Sequence, residues 1–292
     1  MYTHEAQSKL VVKSNTMIQK SKFNLSTMEQ RIILYLISKI KPYADSLEPF
    51  TFFIADFCKV CGINYASGSY YSQLRDAIKG LADKSIWLPT EEGGDRLFRW
   101  ITEAETFPDS GMLKISLNKD LEPYLIHLRS NYTRYELIYT LKFRCKYTTR
   151  LFEFLKSVHY HDLESYQTRV YTLDEVRSFI GAVELDRKGN IVPKKVYMEW
   201  QPLKNRCLEP AIREINQYSD ITVSYTTETR KREVIVEGKR PVVRSYVYGV
   251  KFLIETKDID ERIAIAAQIE KDFGLNQLTF DDDWNWILMK KK

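Results

Sequence analysis

Between Arg187 and Arg206 the chain carries six basic side chains, Arg187, Lys188, Lys194, Lys195, Lys204 and Arg206, against a single acid, Glu199. A solvated surface usually mixes its signs. A local excess of this kind suits phosphate binding, in which ammonium and guanidinium groups displace condensed counterions. Asn205, Arg206 and Arg213 fall on one side of a helical projection of the residues that follow. Those side-chain types can read base edges in a groove, arginine against guanine and asparagine against adenine. Lys194, Lys195 and Lys204 would then hold phosphates. A second basic group, Arg230, Lys231 and Arg232, with Lys239, Arg240 and Arg244 beyond it, falls where a long hairpin is expected. Such a tip can lie along a phosphate backbone, or it can be a strand edge defended by charge against aggregation. The plainer explanation of all these charges is a soluble surface.

Other chemistry is thinly represented. His159-Tyr160-His161 has the letters of a metal-holding pair, and Tyr166 or Tyr171 could act as nucleophile in a rolling-circle nicking reaction. The pair follows a helix and has no neighbouring third ligand, so surface histidines explain it better. Cys58-x-x-Cys61 resembles half a zinc site, but no second closely spaced Cys/His pair completes it. One helical turn apart among Phe57, Val60 and Ile63, these cysteines read as buried free thiols in a reducing cytoplasm. There is no GxxxxGK[ST] loop, no Ser/His/Asp set and no Gly-rich dinucleotide loop. No catalytic residue, metal or cofactor is expected.

The elements that would position the basic residues follow from capping and periodicity. Thr172 with Glu175 makes a capping box, Leu173, Val176, Phe179 and Ile180 an apolar stripe, and Gly181 a stop. A basic loop leads to a longer helix with Leu203, Cys207, Leu208, Ala211, Ile212 and Ile215 on one face. Asn205, Arg206, Glu209, Arg213 and Asn216 occupy the other. Pro210 should kink that helix or restart it. A strand to Tyr225 and a hairpin follow. The first half repeats the order: a capped helix (Ser26, Glu29), a strand at Phe50–Ile54, a short helix at Ala55–Cys61, a helix near Ser69–Asp83, then strands at Ile86–Thr90, Arg96–Phe107 and Met112–Leu117. Phe57-x-x-x-Cys61-Gly62 matches Val176-x-x-x-Ile180-Gly181. Leu74-x-x-Ala77-Ile78-x-x-Leu81 matches Leu208-x-x-Ala211-Ile212-x-x-Ile215. The fold class expected is α+β: tandem winged-helix domains, each a helix-turn-helix with a β-hairpin wing, plus a C-terminal helical extension.

At 292 residues, 44% hydrophobic and 13% aromatic, the chain can fill two cores, and its net charge of +5 suits a nucleic-acid partner without requiring one. The boundaries expected are an N-terminal arm over 1–24, polar and either flexible or strand-like, a first winged helix over 25–130, a second over 131–257, and an extension over 258–292. Residues 118–146 read as a partly helical linker. In the extension, Asp258–Phe273 reads as an amphipathic helix with Ile259, Ile263, Ala266, Ala267 and Ile269 as its apolar positions. No apolar run in the early chain is long enough to span a bilayer, and the first residues lack the apolar region of a signal peptide. A cytoplasmic protein without a membrane partner is expected.

Ser14-Asn15-x-x-Ile18, Phe23-Asn24-Leu25-Ser26, Glu29-Gln30-Arg31-Ile32-Ile33-Leu34, Tyr132-Thr133-Arg134-Tyr135-Glu136-Leu137 and Lys146-Tyr147-Thr148-x-Arg150-Leu151-Phe152-Glu153 resemble segments of the plasmid replication initiators of the RepA/RepB-like family. Leu203-Lys204-x-Arg206-x-Leu208-Glu209-Pro210-Ala211-Ile212-x-Glu214-Ile215-Asn216 resembles that family's second recognition helix, proline included. The resemblance spans about residues 10–255. It implies two winged helices binding directly repeated origin sequences, the iterons. The C-terminal domain would read a major groove, and the N-terminal domain would add backbone contacts as a monomer or form a dimer that represses the protein's own promoter. It also implies double-stranded DNA, a second copy of the chain, the host initiator, the replicative helicase and dimer-converting chaperones as partners. Cys145, where serine is usual, and the extension depart from the pattern. The rival readings are a tandem winged-helix transcription regulator and the nicking replicase built on His159 and His161.

Overall fold

A computed structural model describes residues 10–41, 44–61, 69–90, 92–107, 109–159, 163–185, 191–234, 242–275, 278–280 and 286–288. The chain opens with strand β1 (Leu10–Ser14) and helix α1 (Asn15–Lys20). The polar lead-in is therefore structured from Leu10 onward, with Val11, Met17 and Ile18 in the core. Of the flexible and strand-like alternatives the lead-in is a strand from Leu10, and the Lys13 ammonium is buried, 2.6 Å from the Glu153 carboxylate.

Helix α2 (Thr27–Ile37) starts where the capping box predicts. The Glu29 N–H donates to Ser26 Oγ at 3.3 Å, and the Ser26 N–H donates to Glu29 Oε2 at 2.6 Å. Ile32 to Ile37 are all buried, so this helix is a central post rather than a surface element. Around it lie β2 (Phe50–Phe53), α3 (Ile54–Cys61) and α4 (Tyr70–Ala82). Tyr35, Phe52 and Phe57 meet there in an aromatic cluster, the two phenylalanines stacked at 5.0 Å. Gly62, the stop expected for α3, lies outside the described residues.

The single strand expected over Arg96–Phe107 is two. Strands β3 (Ser85–Pro89) and β4 (Asp95–Arg99) form a hairpin, whereas β5 (Ile101–Phe107) and β6 (Met112–Leu117) extend β2 into a sheet of order β2-β6-β5. The change of sheet falls at Trp100, which is buried edge-on against Phe23 at 5.0 Å. The expected linker holds a short helix α5 (Glu122–Leu125) and also strand β7 (Tyr132–Glu136), which pairs antiparallel with β1. That pairing joins residues more than a hundred apart, beyond the reach of local patterning.

Helix α6 (Thr148–Val158) is buried over most of its length. Arg150 binds the α1 end through Ser21 and the Phe179 carbonyl at 3.0 Å, which holds both halves of the molecule to one helix. Two short strands, β8 (Ser165–Gln167) and β9 (Tyr171–Thr172), lead directly into α7 (Leu173–Ile180). The basic loop contains a small hairpin, β10 (Val183–Leu185) with β11 (Ile191–Pro193). Next come α8 (Trp200–Leu203), a π-helical turn over Lys204–Leu208, and α9 (Glu209–Tyr218). Strands β12 (Ile221–Val234) and β13 (Val242–Thr256) make the long hairpin, with β8 and β9 against β13. Gly249 is required there, since a Cβ would stand 2.8 Å from the Tyr171 carbonyl oxygen. The two halves thus repeat one order, helix, strand, helix, helix, hairpin: the architecture is two winged helices.

Helix α10 (Ile259–Phe273) follows, with β14 (Leu278–Phe280) and β15 (Trp286–Leu288) pairing beyond it. Its inward face differs from the one expected. Ile269 is buried, with Ile265 and Phe273 partly so, while Ile259 and Ile263 are 57% and 58% exposed. The residues at 265, 269 and 273 share a stripe, and the Lys142–Asp272 ion pair at 2.5 Å lies beside it.

Candidate nucleic-acid interface

The geometry of the second winged helix is set at α7. Thr172 and Glu175 form the expected capping box, and Gly181 closes the helix at φ +74°. Arg169 hydrogen-bonds the Glu175 carboxylate at 2.6 Å and holds its pKa down at about 2. Arg177, buried, donates to the Tyr197 carbonyl at 2.8 Å and to the Met198 carbonyl, so the chain entering the next helix is tied to α7.

That next helix runs from Trp200 to Tyr218 through the π-turn. Pro210 has no N–H, and in an unbroken α-helix its ring would strike the carbonyl four residues back. The extra residue of the π-turn absorbs this: the Glu209 N–H reaches the Lys204 carbonyl, and the α-helix restarts with proline in its first turn. Leu203, Cys207, Leu208, Ala211, Ile212 and Ile215 are all buried, as their spacing predicts. Asn205 and Arg206, inside the π-turn, and Arg213, two turns on, are exposed. Such π-turns are frequent at functional sites, where they re-aim side chains.

Two residues of this helix have roles that the sequence did not announce. Asn216, assigned to the outward face, is locked by its amide to the backbone of Val223, accepting at 2.7 Å and donating at 3.0 Å. Glu214 accepts from the Arg144 and Cys145 N–H groups at 3.0–3.1 Å and from Thr148 Oγ1 at 2.6 Å, tying α9 to the turn before α6 and to the first residue of α6. The sequence signal for Glu214 was weak: an acid at a helix position facing neither the apolar stripe nor the basic side.

Among the expected phosphate contacts, Lys195 is exposed and Lys194 is half-buried, its N–H donating to the Ala182 carbonyl. Lys204 is half-exposed, 3.9 Å from Glu209, which itself accepts from Tyr225 OH. Arg187 and Lys188 lie outside the described residues. Arg230, Lys231 and Arg232 are exposed on β12 but do not form one patch, because neighbouring strand residues face opposite ways. Arg230 stacks on Tyr248 at 4.0 Å and Arg232 on Tyr246 at 5.2 Å, while Lys231 stands on the reverse face. Arg244 pairs across from Arg232. The wing therefore has a guanidinium–aromatic face.

Of the residues nominated for nicking, Tyr166 is half-buried on β8. His159 is buried, with Nε2 3.1 Å from the Leu163 carbonyl, and Tyr171 is packed between Phe154 and Phe179. Tyr160 and His161 lie outside the described residues. Cys58 and Cys207 are buried free thiols, pushed up to about 11 and about 12 by desolvation. No helix among the described residues is long and apolar enough to cross a membrane.

Comparison with known proteins agrees with this architecture. The family described as "Initiator Replication protein, WH1" matches residues 10–156, and "Initiator Rep protein, WH2" matches residues 187–238. No curated protein matches. Among solved structures, a Pi initiator protein in complex with iteron DNA is similar at 19% identity and a TM-score of 0.66, over 86% of this chain and 98% of that one. The WH1 domain of MSBI1.176, a replication protein isolated from a multiple sclerosis patient, is 23% identical over 34% of this chain and 79% of its own length, with a TM-score of 0.26.

Proposed function

This chain belongs to the initiator replication protein family, and we propose that it binds directly repeated sequences at a plasmid origin and thereby starts replication. The observation that carries the reading is the two-sidedness of the helix from Trp200 to Tyr218. Its inner face is buried and pinned through Glu214 and Asn216, while Asn205, Arg206 and Arg213 project outward unburied. A rigidly held helix with free arginine and asparagine side chains is the arrangement that reads a major groove. The similar Pi protein, captured on iteron DNA, supports the choice of target.

In this reading the second winged helix, within 131–257, selects the sequence. The first, within 25–130, adds backbone contacts or pairs with a second copy to repress the chain's own promoter. Lys194, Lys195 and Lys204, with the wing residues Arg230, Lys231 and Arg232, hold phosphates. The bound protein recruits a host initiator and the replicative helicase in the cytoplasm, with chaperones shifting dimer to monomer, and performs no catalytic step itself. A footprint on the DNA flanking the gene, run at two salt concentrations, tests this. Protection of repeats at helical-turn spacing is expected. Protection confined to one promoter operator would favour a transcription regulator instead.

A further inference from the structure

Helix α10 packs one face on the molecule and leaves the other exposed. Ile269 and, just past the helix, Leu275 are buried, with Ile265 and Phe273 packed on the same core. At about 100° per residue, the opposite side carries Asp260, Ile263, Ala264, Ala267 and Lys271, all exposed, with Ile259 on its flank. A lone exposed apolar residue is ordinary. Two isoleucines a turn apart, each more than half exposed and bordered by alanines, form a stripe that water covers poorly. Most charges of α10 are committed elsewhere. Asp258 caps the helix by accepting from the Glu261 N–H at 2.8 Å, Glu261 pairs with Lys257 at 3.1 Å, and Asp272 pairs with Lys142 and accepts from Gln268. Asp260 and Lys271 stand apart from these pairs, one at each end of the stripe, about 16 Å apart along the axis.

A stripe with an acid at its start and a base at its end complements itself when a second copy runs antiparallel. Asp260 of each copy then meets Lys271 of the other, and Ala264 of each faces Ala267 of the other. Ile263 packs beside them, where the small side chains let the two helices approach closely. We infer that α10 is a self-association surface, through which two copies of this chain join by antiparallel helices about a two-fold axis. The rival occupant is the chain's own last segment, which is apolar at Leu278, Phe280, Trp286 and Leu288. That segment leaves α10 at the other end. Gly274 turns the chain at φ +60°, with Lys59 of the first winged helix beside it, and Leu275 enters the core. Ile259 lies about 22 Å away along the axis, and the acids Asp281, Asp282 and Asp283 offer nothing to Asp260. The pairing needs no DNA, and it is separate from any contact made through the first winged helix.

A helix pair of this length is at the small end of specific interfaces, about 1,000 Å² in total, so a dimer that forms over roughly 10–100 µM is expected. Sedimentation velocity of the full chain without DNA, over a concentration series spanning that range, measures it. Ile263→Asp should raise the dissociation constant at least about tenfold. Asp260→Lys or Lys271→Asp alone should raise it about tenfold, because two like-charged pairs replace two opposite ones. The double variant, Asp260→Lys with Lys271→Asp, should return it to within about threefold of wild type. That double variant carries both unfavourable helix-end charges, so its recovery cannot come from a firmer helix, and it decides the matter if Ile263→Asp disturbs α10. A wild-type chain that stays monomeric throughout would overturn the inference and leave the stripe to the chain's own last segment. A dimer that none of these changes weakens would overturn it too, placing the contact elsewhere. A dimer weakened by Ile263→Asp but not recovered by the double variant would overturn the antiparallel pairing.

Discussion

Removing the Glu214 carboxylate should loosen the groove-facing helix from the body of the protein. Its two oxygens take the Arg144 and Cys145 N–H groups, in the turn before α6, and the hydroxyl of Thr148, the first residue of α6. A hydrogen bond to a charged group contributes about 1.5–3 kcal/mol when well buried. Here the surroundings are partly exposed, so about 1 kcal/mol for each of three donors is the appropriate scale. Glu214→Ala should therefore destabilise the second winged helix by about 3 kcal/mol, lowering its melting midpoint by about 6–12 °C. Thr148→Val removes one of the three bonds. A double-mutant cycle between positions 214 and 148 should show a coupling of about 0.5–2 kcal/mol. Amide exchange at Cys145 should quicken in the Glu214→Ala protein. Strict additivity in the cycle, or a midpoint within about 1 °C of wild type, would refute the claim that this carboxylate fastens α9 to α6.

Arg206→Ala should cost about 1–3 kcal/mol on a cognate repeat and relax the preference at one base position, as read by competition binding with single-base variants. Lys195→Ala should weaken all duplexes alike and reduce the salt slope by about one, with the base preferences unchanged. Glu175 has a folded pKa near 2, below its usual 4.5, so the stability it contributes is complete above about pH 4.5 and is lost as pH falls toward 2. An acid melt of Glu175→Gln should be flatter than that of wild type across that window; parallel curves would remove Glu175 from the capping account.

The parts of this fold legible in the sequence are those governed by neighbours in the chain. Both capping boxes, the stop at Gly181 and the inner face of the Leu203–Ile215 stripe depend on contacts within a turn or two, and the structure has them as read. What escaped depends on partners far away. The sequence left β1 open between a flexible arm and a strand, since the buried Lys13–Glu153 pair that seats it is distant in sequence, and β7 looked like linker because its partner is β1. The inward face of α10 is set by what it packs against, Ile269 with Ile265 and Phe273 on the core, so Ile259 and Ile263, apolar and correctly spaced, face solvent. On the candidate interface, Asn205, Arg206 and Arg213 stood out by type and phase, whereas Glu214 and Asn216 are defined by backbone groups that only the assembled fold brings to them. The wing lysine and arginines, contiguous in sequence, separate onto two faces through the alternation of the strand.

The most direct trial of the central claim is a binding comparison between wild type and the combined Asn205→Ala, Arg206→Ala, Arg213→Ala protein, on a cognate repeat and on a scrambled duplex at one salt concentration. The expected result is a protein that stays folded and holds both duplexes with the same affinity, near wild type's on the scrambled one. A combined variant that still prefers the repeat as strongly as wild type would show that the sequence is read elsewhere on the molecule.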